Sequence, residues 1–301
     1  MSEDVEGPAI VLVGPGRAGR AFAHSWTKAG GRLVLAGRDA EETRRFADEL
    51  SAAEARDLAG ASLDGDVLIL SVPDDAIARV ASSLASKGTW RFALHFSGAL
   101  GSNVLAPLAS AGAKLGSLHP LRAFSGAPRE NWMGAFVAVE GEEPAAEAGA
   151  GICRRIGARP RLIPAAGKPL YHAAATLAAG GAASLLSFAA RAWVRAGLDP
   201  EEGRVALAEL ASTAVDAVGR LPFDRAMTGP VARRDAATVR LHRDALADRP
   251  DVAALYALLA GETLRRTAGR GREDEIAALL GLPPESEPPN RAGTGKKPDT
   301  R

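Results

Sequence analysis

The sequence predicts an α/β protein in two parts, a parallel sheet covered by helices on both faces and then an all-helical region. Three observations carry this reading. Residues 8–125 alternate short apolar runs with helical patterns, which is the sequence form of repeated βα units. A glycine-rich turn, Gly14-Pro15-Gly16-Arg17-Ala18-Gly19, follows the first of those runs directly. Beyond Pro164 the apolar residues recur only at helical spacing, as far as Leu282.

Taken in order, the strand candidates are residues 10–13, 32–36, 67–72, 92–96 and 115–118, and a helical pattern follows each of the first four. Runs at 135–139 and 161–163 flank a helix at 145–156 and extend the same sheet. Helices follow at 170–196, 200–218, 232–247, 252–267 and 273–280, separated by breaks that carry Gly, Pro or Asp. The domains expected are therefore 1–164 and 165–282, with a disordered tail at 283–301, where Pro, Gly and charge leave almost nothing to bury.

Composition excludes several classes. Across 301 residues, 37 Lys and Arg against 36 Asp and Glu leave a net charge of +1, so no global field attracts nucleic acid or anionic lipid. Hydrophobic residues at 47% and charged residues at 24% fit a globular chain. The single cysteine, Cys153, cannot make an internal disulfide or a cysteine metal cluster, and no metal is expected. The acidic start lacks the basic residues and apolar run of a signal peptide, so a cytoplasmic protein is expected. Residues 173–190 carry no charge but are mostly Ala and Gly, which reads as a buried helix and not as a membrane span.

The glycine-rich turn stands between a strand and a helix, the context a dinucleotide-binding fingerprint requires. Gly14 permits the tight turn, Gly16 lets the backbone approach a pyrophosphate, and Gly19 lets helix and strand pack closely. The helix N-terminus, with Pro15, Arg17 and Ala18, faces the phosphates. At the end of the second strand, where a carboxylate would hold the ribose hydroxyls of NAD, stands Arg38. A guanidinium there suits the 2′-phosphate of NADP, while Asp39 with Glu42 forms a capping box for the next helix. The turn at Val72-Pro73 lies at the next strand exit and contacts the cofactor through backbone; Asp74 after it is a helix-cap candidate.

The exits of the following strands carry Ser97-Gly98 and Ser117-Leu-His119-Pro120-Leu-Arg122. His95 lies inside its apolar run and reads as a satisfied core residue, whereas His119 at a strand exit reads as functional. Arg122 is a candidate carboxylate anchor. In the helical part, Lys168, His172 and Thr176 recur at four-residue spacing on one face, otherwise lined by Ala. Thr228-Gly-Pro230 reads as a helix cap, and Arg233 beyond it as a second anchor candidate.

Together the fingerprint, the Ser97-Gly98 turn, Ser117-Leu-His119-Pro120-Leu, Tyr171-His172-Ala-Ala and Thr228-Gly-Pro-Val-Ala-Arg233 resemble the Rossmann-like proteins with a C-terminal domain of unknown function, family 2520. Such proteins are similar to the 6-phosphogluconate, β-hydroxyacid, ketopantoate, pyrroline-carboxylate and prephenate dehydrogenases. The resemblance implies a 6-phosphogluconate-dehydrogenase-like helical domain and a substrate between the domains. It implies that Ser97-Gly98, Lys168 and His172 match the catalytic turn and helix of the β-hydroxyacid enzymes, and that His119-Pro120 matches a step of prephenate dehydrogenases. Two departures stand out: relatives usually carry Asn where this chain has Gly180, and Gly where it has Arg234.

The expectation is an NADPH-dependent oxidoreductase of a small carboxylated carbonyl compound, with ketopantoate-like 2-oxo acids first. His119 or His172 would be the acid, Lys168 or Ser97 would stabilise charge on oxygen, and Gly98, Arg122, Thr176 and Arg233 would hold substrate. The alternatives are a non-catalytic NADP-binding sensor or scaffold and a prephenate- or arogenate-type dehydrogenase. A homodimer through the helical domain is expected, and no nucleic-acid or membrane partner.

Overall fold

The computed structural model describes residues 7–50, 52–60 and 62–283, so most of the expected tail lies outside the described residues. The chain divides into two compact units at the Ala179–Gly180 step.

In the first unit an eight-stranded sheet has the order β3-β2-β1-β4-β5-β6-β7-β8. Its parallel part comprises β1 (Ile10–Val13), β2 (Leu33–Gly37), β3 (Ala53–Asp57), β4 (Val67–Leu70), β5 (Phe92–His95) and β6 (Lys114–Pro120). Strand β7 (Phe136–Gly141) runs antiparallel to β6, and β8 (Arg159–Leu162) pairs parallel with β7 at the far edge. Sequence reading does not find β3: its Ala-Glu-Ala-Arg-Asp run is a half-exposed edge strand without β-branched residues.

The central strands are apolar on both faces because both are covered. Ile10 and Leu12 enter one core with Phe22, Trp26, Phe96 and Trp132, while Val11 and Val13 enter another with Ile77, Leu84, Leu105 and Leu108. Helices α1 (Arg17–Lys28), α2 (Ala40–Asp48), α3 (Asp74–Leu84) and α5 (Glu143–Arg155) follow β1, β2, β4 and β7. After β5, where a helix is expected, there is only a 3₁₀ turn (Ser102–Leu105) and the single turn α4 (Ala106–Ala109), started by Pro107. The long connection from β6 to β7 is pinned by Trp132, whose backbone N–H donates to Ser25 Oγ at 2.8 Å and whose ring stacks on Phe124 and meets Phe22 edge-on and Phe96 at a tilt.

Helix α6 (Lys168–Thr176) belongs to the first unit, which therefore runs past the Pro164 boundary. It does so because Lys168 is wholly buried at its start. A π-helical turn (Leu177–Gly181) then interrupts the long helix expected at 170–196.

The second unit comprises α7 (Ala182–Arg195), α8 (Pro200–Arg220), α9 (Phe223–Ala226), α10 (Gly229–Ala232), α11 (Ala236–Ala245), α12 (Pro250–Arg266) and α13 (Glu273–Leu279). Asp199 caps α8 by accepting from the N–H groups of Glu201 and Glu202. Thr228 occupies the cap position of α10 but makes no side-chain bond there; the hydrogen-bonded cap nearby is Asp235 on α11. A small core of Val231, Val239, Ala260, Leu264 and Ile276 joins α10 through α13. The run Ala165–Arg195 is long and apolar enough to cross a membrane by length and composition, with mean hydropathy 1.5, yet none of its most apolar window is buried. The buried helix expected at 173–190 is thus corrected: α7 packs against α8 and reaches α12, yet none of its residues is buried.

The helix expected over 232–247 is broken at Arg234, which adopts φ 59° and is buried. A residue at that φ favours glycine, the residue the resemblance implies there. Here the arginine offsets the strain with its guanidinium, which donates to Val231 O, Thr267 Oγ1, Thr267 O and Glu273 Oε1 at 2.9–3.0 Å. Arg234→Ala keeps the strain and loses those bonds, so urea unfolding should show a loss of about 2–4 kcal/mol. Arg234→Gly, relieved of strain, should stand about 1 kcal/mol above the Ala variant.

Candidate active site

The parallel strands end along one edge of the sheet, and the turns leaving β1, β2, β4, β5 and β6 collect there. At the first of them, Gly14 has φ +78°, its N–H donates to Ala36 O at 2.8 Å, and an added Cβ would strike Val72 Cγ1. A Cβ at Gly19 would lie 2.8 Å from Ser71 Oγ. Both glycines are thus required by packing against the β4 exit. Gly16 is different: its φ is −70°, and the nearest atom to an added Cβ, Ser71 O, stands 3.8 Å away. Nothing among the described residues crowds that position, so the turn is open to a pyrophosphate resting on it. The α1 N-terminus supports that fit, having no side-chain cap and no acidic residue in its first turn, where Arg17 and Ala18 stand.

Arg38 is exposed just beyond β2. Asp39 caps α2 by accepting from Glu42 N at 2.9 Å, but the Glu42 carboxylate accepts from Arg20 at 2.7 Å, so only half of the capping box forms. Pro73, not Asp74, is the cap residue of α3, and it is exposed while Val72 packs against Gly14. The Asp74 carboxylate instead accepts from Ser97 Oγ at 2.8 Å.

Three aromatic side chains meet at Gly98. His119 on β6 and His172 on α6 have ring centroids 5.4 Å apart at 82°, and Tyr171 lies edge-on to His119 at 5.6 Å. A Cβ on Gly98 would collide with His172 Nδ1 and would come within 2.8 Å of His119 Nε2, so glycine is what lets both imidazoles sit on this turn. Tyr171 Oη is 2.9 Å from His119 Nδ1. Burial, then the neighbouring His172 and Lys168 charges, push His119 down to about 4, and burial pushes Tyr171 up to about 12. Both are neutral near pH 7; the phenol, the stronger acid, donates to Nδ1 and leaves the imidazole proton on Nε2. His172 Nδ1 is buried without a hydrogen-bond partner. A neutral ring avoids an unmade buried N–H by placing its proton on Nε2 as well.

The other predicted residues take different places. Lys168 is fully buried and donates to Ser97 O at 3.0 Å and Ser117 Oγ at 2.6 Å, with Glu140 Oε2 at 3.9 Å. Burial lowers its pKa to about 8 against the pull of Glu140 and Asp74. The ammonium holds the Ser97 turn and does not open onto the edge where His119 and His172 meet, so the stripe of Lys168, His172 and Thr176 runs from buried to exposed instead of presenting one polar face. Thr176 is exposed and its hydroxyl donates to His172 O at 2.9 Å. Ser97 is buried: its hydroxyl donates to Asp74 and accepts from Leu100 N at 3.0 Å, which ties up the turn. Arg122 is exposed and donates to Met133 O at 3.1 Å. Arg233 is exposed in the second unit. Among the described residues, no group of three or more His, Cys, Asp or Glu could hold a metal ion. Sequence reading singled out Tyr171 only as part of a motif; its 2.9 Å pairing with a β6 histidine is a tertiary contact without local signal.

The sheet order and the fingerprint turn define a Rossmann-type unit followed by a helical one. Residues 6–120 match a Rossmann-like domain and residues 135–263 match the domain of unknown function DUF2520, so this chain is a Rossmann-like protein carrying that C-terminal domain. No curated protein matches the sequence. Among solved structures, protein TM1727 from Thermotoga maritima shares 23% identity at TM-score 0.70, covering 86% of this chain and 98% of its own. A proposed NADP oxidoreductase, BF3122 from Bacteroides fragilis, shares 22% at TM-score 0.70, covering 87% and 100%. The reductive aminase from Aspergillus terreus, solved with NADPH and ethyl levulinate, shares 17% at TM-score 0.60, covering 91% and 99%. At these identities the likeness is one of fold.

His95 gives the unit a specific acid sensitivity. The ring is wholly buried, its Nδ1 accepts from Ser97 N at 3.1 Å and its Nε2 meets Gly101 O at 3.2 Å, as expected of a core histidine. Burial, then the Lys168 charge, lowers it to about 3. In the unfolded chain it takes a proton near pH 6.5, whereas in the fold it stays neutral down to about 3, so stability falls as pH drops below 6.5. Between pH 7 and pH 5 the loss from His95 should be about 2 kcal/mol, and His119 adds in the same direction. Urea midpoints that do not move between those pH values would contradict this, and His95→Gln should flatten the dependence.

Proposed function

We propose that the protein is an NADPH-dependent oxidoreductase that reduces the carbonyl of a small carboxylated compound, with ketopantoate-like 2-oxo acids the leading class. The observation that carries this reading is the meeting of His119, Tyr171 and His172 on Gly98 at the same sheet edge as the open turn at Gly16. The neighbours from Bacteroides fragilis and Aspergillus terreus support the cofactor, since one is described as an NADP oxidoreductase and the other was solved with NADPH.

Bound NADPH would supply a hydride. The chain's own residues would do the rest. The backbone at Gly14–Gly19 receives the pyrophosphate, and Arg38 pairs with the 2′-phosphate. His172 Nε2–H would donate a hydrogen bond to the carbonyl oxygen and stabilise the charge that grows there, the proton that completes the hydroxyl coming from solvent; the Tyr171–His119 pair holds the second imidazole in the same donor tautomer. Arg122, exposed just past β6, anchors the carboxylate. Lys168 and Ser97 act as positioning residues, since their polar atoms are spent on the turn that carries Gly98.

The helical unit supports a dimer. Helix α7 has no buried residue and α8 only Gly203, while Leu185, Leu210, Val215 and Val218 stand exposed on them. Apolar helices of this length are covered in a working protein, and a second copy of the chain is the cover we propose.

The test is a screen of 2-oxo acids, 3-oxo acids and cyclic imines with purified protein and NADPH, following nicotinamide absorbance, beside calorimetric cofactor binding. NADPH should bind more tightly than NADH, and Arg38→Ala should narrow the gap by ~1–3 kcal/mol. Gly16→Val should abolish NADPH binding while leaving the urea midpoint in place. With a substrate in hand, His172→Ala should lower turnover roughly 100- to 10,000-fold with NADPH affinity barely changed. Tight NADPH binding with no oxidation across the whole screen would replace the reductase with a cofactor-binding sensor.

A further inference from the structure

In the second unit, α7, the end of α11 and the start of α12 enclose a cavity of about 270 Å³. Its body is apolar, formed by Ala192, Ala196, Leu246 and Val252. Its remaining lining includes three guanidinium groups, those of Arg191, Arg195 and Arg249.

Those cations are not fully balanced. Arg191 pairs with Asp251 and Arg195 with Asp248, one carboxylate each. Arg249 reaches only Asp251, at 3.8 Å, a carboxylate that Arg191 already holds by hydrogen bond. Three guanidiniums thus share two carboxylates, and the loosest of them belongs to the residue at the α12 cap position. That cap supplies no side-chain acceptor, and the acidic residue in the first turn of this 17-residue helix is Asp251, the carboxylate that Arg191 already holds.

We propose that this cavity is a binding site for a small organic monoanion: a carboxylate on a short apolar chain, with the chain against Ala192, Ala196, Leu246 and Val252 and the carboxylate on Arg249. The volume sits just under the roughly 300–1,000 Å³ of pockets for drug-sized ligands, which limits the chain to a few carbons. The site shares no residue with the cofactor turn or the histidine cluster, so it is a second ligand site, suited to an effector.

Calorimetric titration of the intact chain with hexanoate tests it, with hexanol as the uncharged counterpart and acetate as the counterpart without an apolar body. Hexanoate should bind, and both counterparts should bind at least ~10-fold more weakly, since each lacks one half of the recognition. Arg249→Gln should weaken hexanoate by ~10-fold or more, and Ala192→Leu, which fills the cavity, should abolish it. Arg220→Gln, on an exposed arginine of α8, should leave it unchanged. Absence of hexanoate binding by the wild type, equal binding of hexanol, or undiminished binding by folded Arg249→Gln would each overturn the proposal. Far-UV circular dichroism reports folding of the variants, and NADPH titration of the same samples shows separately whether the cofactor reading holds.

Discussion

A lysine ammonium with no exposed surface joins the last helix of the first unit to the sheet beneath it. Lys168 donates to the carbonyl of Ser97 and the hydroxyl of Ser117, and that hydroxyl in turn donates to Glu140, which also accepts from Ser102. Taking a cation and a carboxylate out of water together costs several kcal/mol per ion, and such an arrangement persists only when its hydrogen bonds are nearly all made. Here they are made by five elements at once: α6, the β5 exit, the 3₁₀ turn at Ser102, β6 and β7. The consequence is positional. One turn of helix beyond the buried ammonium come Tyr171 and His172, and the anchoring of Lys168 delivers them to the strand end that carries His119.

Glycine serves two different ends around this edge. At Gly14, Gly19 and Gly98 a methyl group would run into protein: Val72, Ser71, and the two imidazoles. At Gly16 and Gly180 it would run into nothing. The first group is explained by packing, so its members say little about ligands by themselves. Gly16 instead leaves its turn open to the ligand proposed for it. Gly180, set in the π-helical turn with open space around it, has room for the asparagine that the resemblance implies there, and among the described residues its smallness has no packing cause.

The order of βα units, the fingerprint and the change to helices were legible because each rests on local pattern: continuous apolar strands buried on both faces, a strand-turn-helix with fixed glycine spacing, apolar residues at helical intervals. Strand β3 was hidden because an edge strand of Ala, Glu, Ala, Arg and Asp buries too little to leave a pattern. The convergence of His119 with His172 was readable, since both stand at an edge or helix start that could face the site. The roles of Ser97 and Lys168 were not: spacing placed Lys168 on the same face as His172, but which way a long side chain turns depends on Glu140 and Ser117, distant in sequence. Arg234 shows the same limit from the other side, since a departure from glycine is compensated by partners near residues 267 and 273.

The two borders of the sheet have a bearing on how copies of this chain associate. Strand β8 reads Arg-Pro-Arg-Leu, and Pro160 has no N–H to offer an approaching strand, while Arg159 and Arg161 bring charge to that rim. At the opposite border β3 presents Glu54, Arg56 and Asp57. Both rims are thus poor templates for a foreign β-strand. Growth of the sheet by edge-to-edge addition, the ordinary route from an open sheet to fibrils, is blocked at each end by composition without any covering element. That leaves the helices as the surface the proposed dimer would use, with contacts of side chain to side chain.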